Sequence, residues 1–141
     1  MQGLSFPAVT AVTAATAGAL GILHVVLVLL VSAGRMKFNT GLGDGGNEAL
    51  SRRIRMHGNL TENAPLFLIL LGIVELSRVS PYLVTILGPL IVVFRLCHAY
   101  GLSMHFGPGS NGFRAIGEGG TALAIIVLSA ACLIVAVPPF R

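Results

Sequence analysis

Tryptophan is absent from this chain, only 10% of its residues are charged, and only two are cysteines. A soluble domain carries about 25% charged residues, so the scarcity of charge excludes that class. With 55% of residues hydrophobic and a mean hydropathy of +0.89, the chain reads as an integral membrane protein. Cys97 and Cys132 both lie inside apolar runs. They read as small packing residues and build neither a disulfide framework nor a metal site. No Lys/Arg-rich surface with interleaved aromatics is present, so nucleic acid is not a predicted partner. Without Trp, the interfacial belt falls to Tyr82, Tyr100 and several Phe. No Lys or Arg precedes Arg35, so the chain lacks the charged opening of a cleaved signal, and the first apolar segment is expected to stay in the mature protein.

What is present is four apolar runs and a compact polar motif. The length of 141 residues suits one bundle with no second domain. The hydrophobic pattern predicts spans over 7–33, 48–77, 81–105 and 113–137, each near or above the ~20 residues that cross a bilayer. In the first span Gly18, Ala19 and Gly21 would let another helix approach closely, and His24 is expected to be a hydrogen-bonded packing residue. Residues 35–50 form a Gly-rich connector with Asn47 or Ser51 as helix cap. It lacks the strand and the Gly-Lys-Ser/Thr ending of a phosphate-binding loop. Glu75 and Arg78, three apart, are expected to pair at the far end of the second span. Ser80-Pro81 predicts a tight turn and antiparallel neighbours, and Pro89 a kink in the third span. Residues 106–112 read as a breaker, and Pro138-Pro139 ends the last span.

The motif is Arg52-Arg53-Ile54-Arg55-Met56-His57-Gly58-Asn59-Leu60-Thr61-Glu62-Asn63-Ala64-Pro65. At ~100° per residue, Arg52, Arg55, Asn59 and Glu62 fall within roughly 80° of one another. They form one polar stripe with Asn63 at its edge, while His57 points away. Interfacial anchoring accounts for an arginine that reaches headgroups. It does not account for two amides and a carboxylate that continue inward, because polar groups there are costly unless they face a protein interior or cavity. Arginine forks, amides and a carboxylate together suit a small zwitterionic, peptide-like ligand. Arg95, His98, Leu102 and His105 repeat the 3, 4, 3 spacing on the third span. The basic residues crowd the first and third loops, with Arg78 alone in the second. The positive-inside rule thus predicts cytoplasmic loops one and three, both termini on the other side, and a site facing the cytoplasm.

Arg-x-x-Arg-x-His-x-Asn-x-x-Glu-Asn-x-Pro at the start of the second of four short spans resembles the MAPEG family. These are membrane-associated proteins of eicosanoid and glutathione metabolism, such as the microsomal glutathione transferases. The similarity covers essentially the whole chain, and the short bacterial members without an assigned substrate look nearest, which implies a bacterial inner membrane. The resemblance implies a homotrimer of four-helix subunits with glutathione bound as co-substrate between neighbours. Carried over by motif, Arg52, Arg55, Asn59 and Glu62 match glutathione contacts. Arg95 and His98 resemble the third-span pattern, Arg35 a basic residue ending the first span, and Arg114 the arginine that activates the thiol. In that reading Arg52 and Arg55 clamp carboxylate, Asn59 bonds the peptide backbone and Glu62 takes the ammonium. Arg114 stabilises the thiolate that attacks a lipophilic electrophile arriving from the bilayer.

Two departures stand out. Gly34-Arg35 replaces a basic pair found in some relatives, and Leu102 stands where the family has a tyrosine one turn beyond His98. They keep a second expectation open, a membrane protein that holds glutathione or lipid without turnover. A haem protein ligated by His24 and His98 does not call for the Arg/Asn/Glu stripe. A small exporter would need Glu62 or Glu118 as its membrane carboxylate, and both lie near arginines.

Overall fold

A computed structural model describes residues 10–104 and 111–137, which form four helices: α1 (Ala11–Lys37), α2 (Glu48–Ser77), α3 (Pro81–Ser103) and α4 (Gly112–Ala136). Each is long and apolar enough to cross a membrane. α1 runs four residues past Ala33, because Gly34, Arg35, Met36 and Lys37 continue the helical hydrogen bonding before Phe38 closes it. The predicted start of the first span at Pro7, the predicted end of the third at His105, most of the breaker and Pro138-Pro139 lie outside the described residues.

The helix starts follow local chemistry. The side chain of Asn47 accepts a bond from the Leu50 N–H at 3.0 Å, and Asn111 accepts one from the Arg114 N–H at 2.9 Å. Ser80 does the same for Leu83, with Pro81 in the first turn of α3, where its missing N–H costs nothing. α2 stops at Arg78, whose left-handed backbone (φ 55°) ends the helix.

α1 starts differently. Thr10 offers it no side-chain cap. Instead Glu75, at the far end of α2, accepts from the N–H groups of Val12 and Thr13 at 2.9 and 2.8 Å. A carboxylate there meets two orphan donors and the positive end of the helix dipole. The expected Glu75–Arg78 pair is not formed among the described residues. The cap takes the carboxylate, and the left-handed turn leaves Arg78 exposed.

α2 and α3 touch each other and both flanking helices, while α1 and α4 do not meet among the described residues. Phe67, Leu71, Val74, Ile91 and Leu128 fill the buried centre. Ile22, Leu29, Leu123, Ile126 and Leu133 face outward, as a lipid-facing surface requires. In lipid the helices gain little from leaving their solvent, so close packing has to hold them. Glycines permit it between α3 and α4. A Cβ on Gly117 would stand 2.6 Å from the backbone nitrogen of His98, and one on Gly101 would stand 2.6 Å from that of Arg114. Around Gly18 and Gly21, by contrast, no other helix among the described residues comes within 4 Å of where a Cβ would stand.

Candidate functional site

Four polar side chains sit at or below 3% exposure at one end of the bundle: Asn59 of α2, Arg95 and His98 of α3, and Thr121 of α4. Burial of that degree is tolerable only with partners. The Arg95 guanidinium donates to the Asn59 Oδ1 and the Thr121 Oγ1, and at 2.8 Å to the Gly117 carbonyl. Thr121 in turn donates to that carbonyl at 2.7 Å. The Asn59 amide nitrogen, turned the other way, donates to both carboxylate oxygens of Glu118 at 3.2 Å. His98 Nε2 reaches the same carboxylate at 2.8 Å. Three helices are thus tied through one chain of bonds that runs from a buried cation to a carboxylate. Arg95 Nε is the one buried nitrogen of this cluster without a hydrogen-bond partner among the described residues.

Glu118 ends this chain at a surface. Its side chain is 52% exposed, and with Arg55, Arg114, Ala115 and Gly119 it lines an open pocket of about 380 Å³. With Glu118 set against Arg95, the two pocket arginines leave an excess of positive charge, part of which Glu62 offsets from 3.7 Å. Two guanidinium forks beside one carboxylate can hold a molecule with both acidic groups and an ammonium.

The polar stripe of α2 is therefore divided. Asn59 faces inward, Arg55 lines the pocket, and Glu62 is exposed beside Arg55 without lining it. Arg52 sits 2.5 Å from Glu48 on its own helix, and Arg35 donates to the Gly41 carbonyl at 3.1 Å. Neither reaches the pocket within the chain, because each has a nearer partner. Arg53, which carried no expectation, crosses to the Leu30 carbonyl at 3.0 Å and ties α2 to α1. His98 and Arg95 join the site from α3, and Arg114 from the first turn of α4. Leu102 is in the core and offers no hydroxyl. His57 lies on the other side of α2, its ring centroid 4.8 Å from that of His24. The two histidines that a haem would need, His24 and His98, are thus committed to different neighbours.

Glu118 and Thr121 are the site residues that the α2 motif could not supply. A signal was there: Arg114, Glu118 and Thr121 are spaced 4 and 3 and share one helix face by the same rule that grouped the α2 stripe. Read alone, Arg114 and Glu118 look like an ordinary i,i+4 pair, which hides the carboxylate's inward partners. Among the described residues no three His, Cys, Asp or Glu side chains gather as a metal site.

The MAPEG family model matches residues 13–134, a range that takes in nearly all of the four helices and every residue of this cluster. The chain belongs to the MAPEG family. It is an integral, multi-pass membrane protein. Among curated proteins, this MAPEG chain is similar to the inner membrane protein YecN of Escherichia coli strain K12 and of Escherichia coli O6:H1, at 36% identity over 67 residues in each case. The matched stretch is 48% of this chain and 51% of each relative, so the chain spans about half the length of the curated relatives it matches.

Proposed function

We propose that this MAPEG protein binds glutathione in the pocket of Arg55, Arg114 and Glu118 and presents it as a thiolate to lipophilic electrophiles. The observation that carries the reading is the pairing of two arginines with a carboxylate at the wall of one open pocket of about 380 Å³. Glutathione brings two carboxylates, one ammonium and one thiol, and the arginines complement its excess negative charge. Arg114 lies in the first turn of α4, where its cation and the helix N-terminus both favour an anion. A cation there lowers the thiol's pKa, and the thiolate is the nucleophile. The sulfur then bonds to an electrophilic carbon or a peroxide oxygen of a molecule that enters from the bilayer, and the leaving group departs. Arg95, Asn59 and His98 act behind the pocket by fixing its wall.

The reading includes a homotrimer with the site between subunits, which the openness of a pocket lined by only α2 and α4 supports. It also includes an inner-membrane address, both termini on the non-cytoplasmic side and the pocket at the cytoplasmic face, supported by the crowding of Arg and Lys near loops one and three. Under this reading Arg52 and Arg35 contribute only if a neighbouring subunit brings them to the ligand. Because Leu102 supplies no hydroxyl, thiolate formation falls to Arg114.

The test is the thiolate absorbance of glutathione added to purified, detergent-solubilised protein. Arg114→Ala is expected to abolish the thiolate signal while binding persists, and Arg55→Ala to weaken binding itself. Binding without thiolate in the wild type would reduce the protein to a ligand-holding relative. An absence of binding would remove the glutathione reading.

A further inference from the structure

The geometry points to Glu118, and not Glu62, as the residue that receives the ligand's primary ammonium group and so selects amino-bearing thiols. This inference rests on the glutathione reading of the pocket. An ionised carboxylate offers about four acceptor positions. The Asn59 amide bridges both oxygens of Glu118 at 3.2 Å, and His98 Nε2 takes a further position on Oε2 at 2.8 Å. Both partners are buried and belong to the body of the bundle. The carboxylate is thus gripped from behind, and its remaining acceptor positions face the pocket across the half-exposed side of the residue. An ammonium needs a fixed anion of this kind, with charge and direction set before the ligand arrives.

Glu62 has none of these supports. Its side chain is 60% exposed, its one ionic contact among the described residues is Arg55 at 3.7 Å, and it does not line the pocket. An exposed pair of that kind holds its partner weakly. The neighbours of Glu118 also fit an amino-acid head. In such a group the carboxylate and ammonium share one carbon, so a cation and an anion must stand side by side in the site. Arg55 and Glu118 line the same pocket and meet that condition, which leaves Arg114 for the sulfur.

The experiment compares the affinities of glutathione and N-acetylated glutathione for the full-length, detergent-solubilised wild type, Glu118→Gln and Glu62→Gln. The wild type is expected to favour glutathione by about 10- to 100-fold, the range of a charge-assisted hydrogen bond to a buried or fixed partner. Glu118→Gln should bring that ratio close to one, and Glu62→Gln should leave it at the wild-type level. A wild-type ratio near one, a full ratio retained in Glu118→Gln, or a ratio lost in Glu62→Gln would overturn the assignment, with glutathione binding itself still intact. Failure of the wild type to bind either compound would overturn the glutathione reading together with this one. The wild-type comparison changes only the ligand, so it stands even where a variant is too unstable to assay.

Discussion

Glu75 and Glu118 are both carboxylates on membrane-spanning helices, and they do opposite things. Glu75 spends its two oxygens on two backbone N–H groups, those of Val12 and Thr13, and so closes one end of the bundle. Glu118 is held by side chains, Asn59 and His98, and keeps half of its surface toward a pocket. The first arrangement completes a helix. The second leaves a charge with acceptor positions to offer. Where a membrane protein holds an acid within a span, the identity of its donors therefore separates a structural role from a binding one.

That comparison can be broken at several points. The largest effect is expected from Arg95→Ala, which strips a buried partner from Asn59, Thr121 and the Gly117 carbonyl at once. Unpartnering buried polar groups on this scale costs about 3–5 kcal/mol. Unfolding in mixed detergent should show that loss, along with loss of glutathione binding. Gly117→Ala comes next. Its Cβ would meet the His98 backbone nitrogen and the Phe94 carbonyl oxygen at 2.6 Å, forcing α3 from α4 at a cost of about 1–3 kcal/mol. A variant as stable as the wild type would show that the close crossing is not needed.

Glu75→Ala removes a cap without touching the pocket. A loss of about 0.5–2 kcal/mol is expected from comparable caps, with the affinity for glutathione unchanged, and this is the variant that sharpens the contrast most. The smallest effect belongs to the connector. Asp44 accepts from the Gly46 N–H at 2.9 Å, and that bond, followed by one from Ser51, holds its carboxyl below the usual carboxylate range. The depressed value means that the ionised form stabilises the loop at all pH above the ordinary value of 3.8. The contribution disappears only as pH falls below that value and through the lowered one. Asp44→Asn should therefore erase a small acid-limb change in proteolysis of the connector, and leave behaviour at neutral pH nearly as it was.

Much of the fold was legible because lipid imposes a simple rule. Spanning helices need long apolar runs, and the turns between them need Gly, Pro or a capping side chain. Asn47, Ser80 and Pro81 declared their roles locally. The Glu75 cap did not, since its partners lie 62 and 63 residues away, and a nearby arginine offered a simpler pairing that the tertiary contact displaced. The same limit applies to the site. The spacing of Arg55, Asn59 and Glu62 placed them on one stripe, but the stripe is wide enough for Asn59 to be buried while Glu62 is exposed. Which side of it faces α3 and α4 is decided by where Arg95 and Gly117 stand. The sequence marks Glu118 only as a membrane carboxylate near an arginine, because the donors that orient it come from α2 and α3.

The most direct measurement is an equilibrium binding isotherm for glutathione on the purified wild type, Arg55→Ala and Glu75→Ala. The account predicts saturable binding to the wild type and to Glu75→Ala, and at least a tenfold loss in Arg55→Ala, about the 1.4 kcal/mol of one modest charged contact. No saturable binding to the wild type, or equal losses in both variants, would contradict a glutathione site built on the Arg55 end of this bundle.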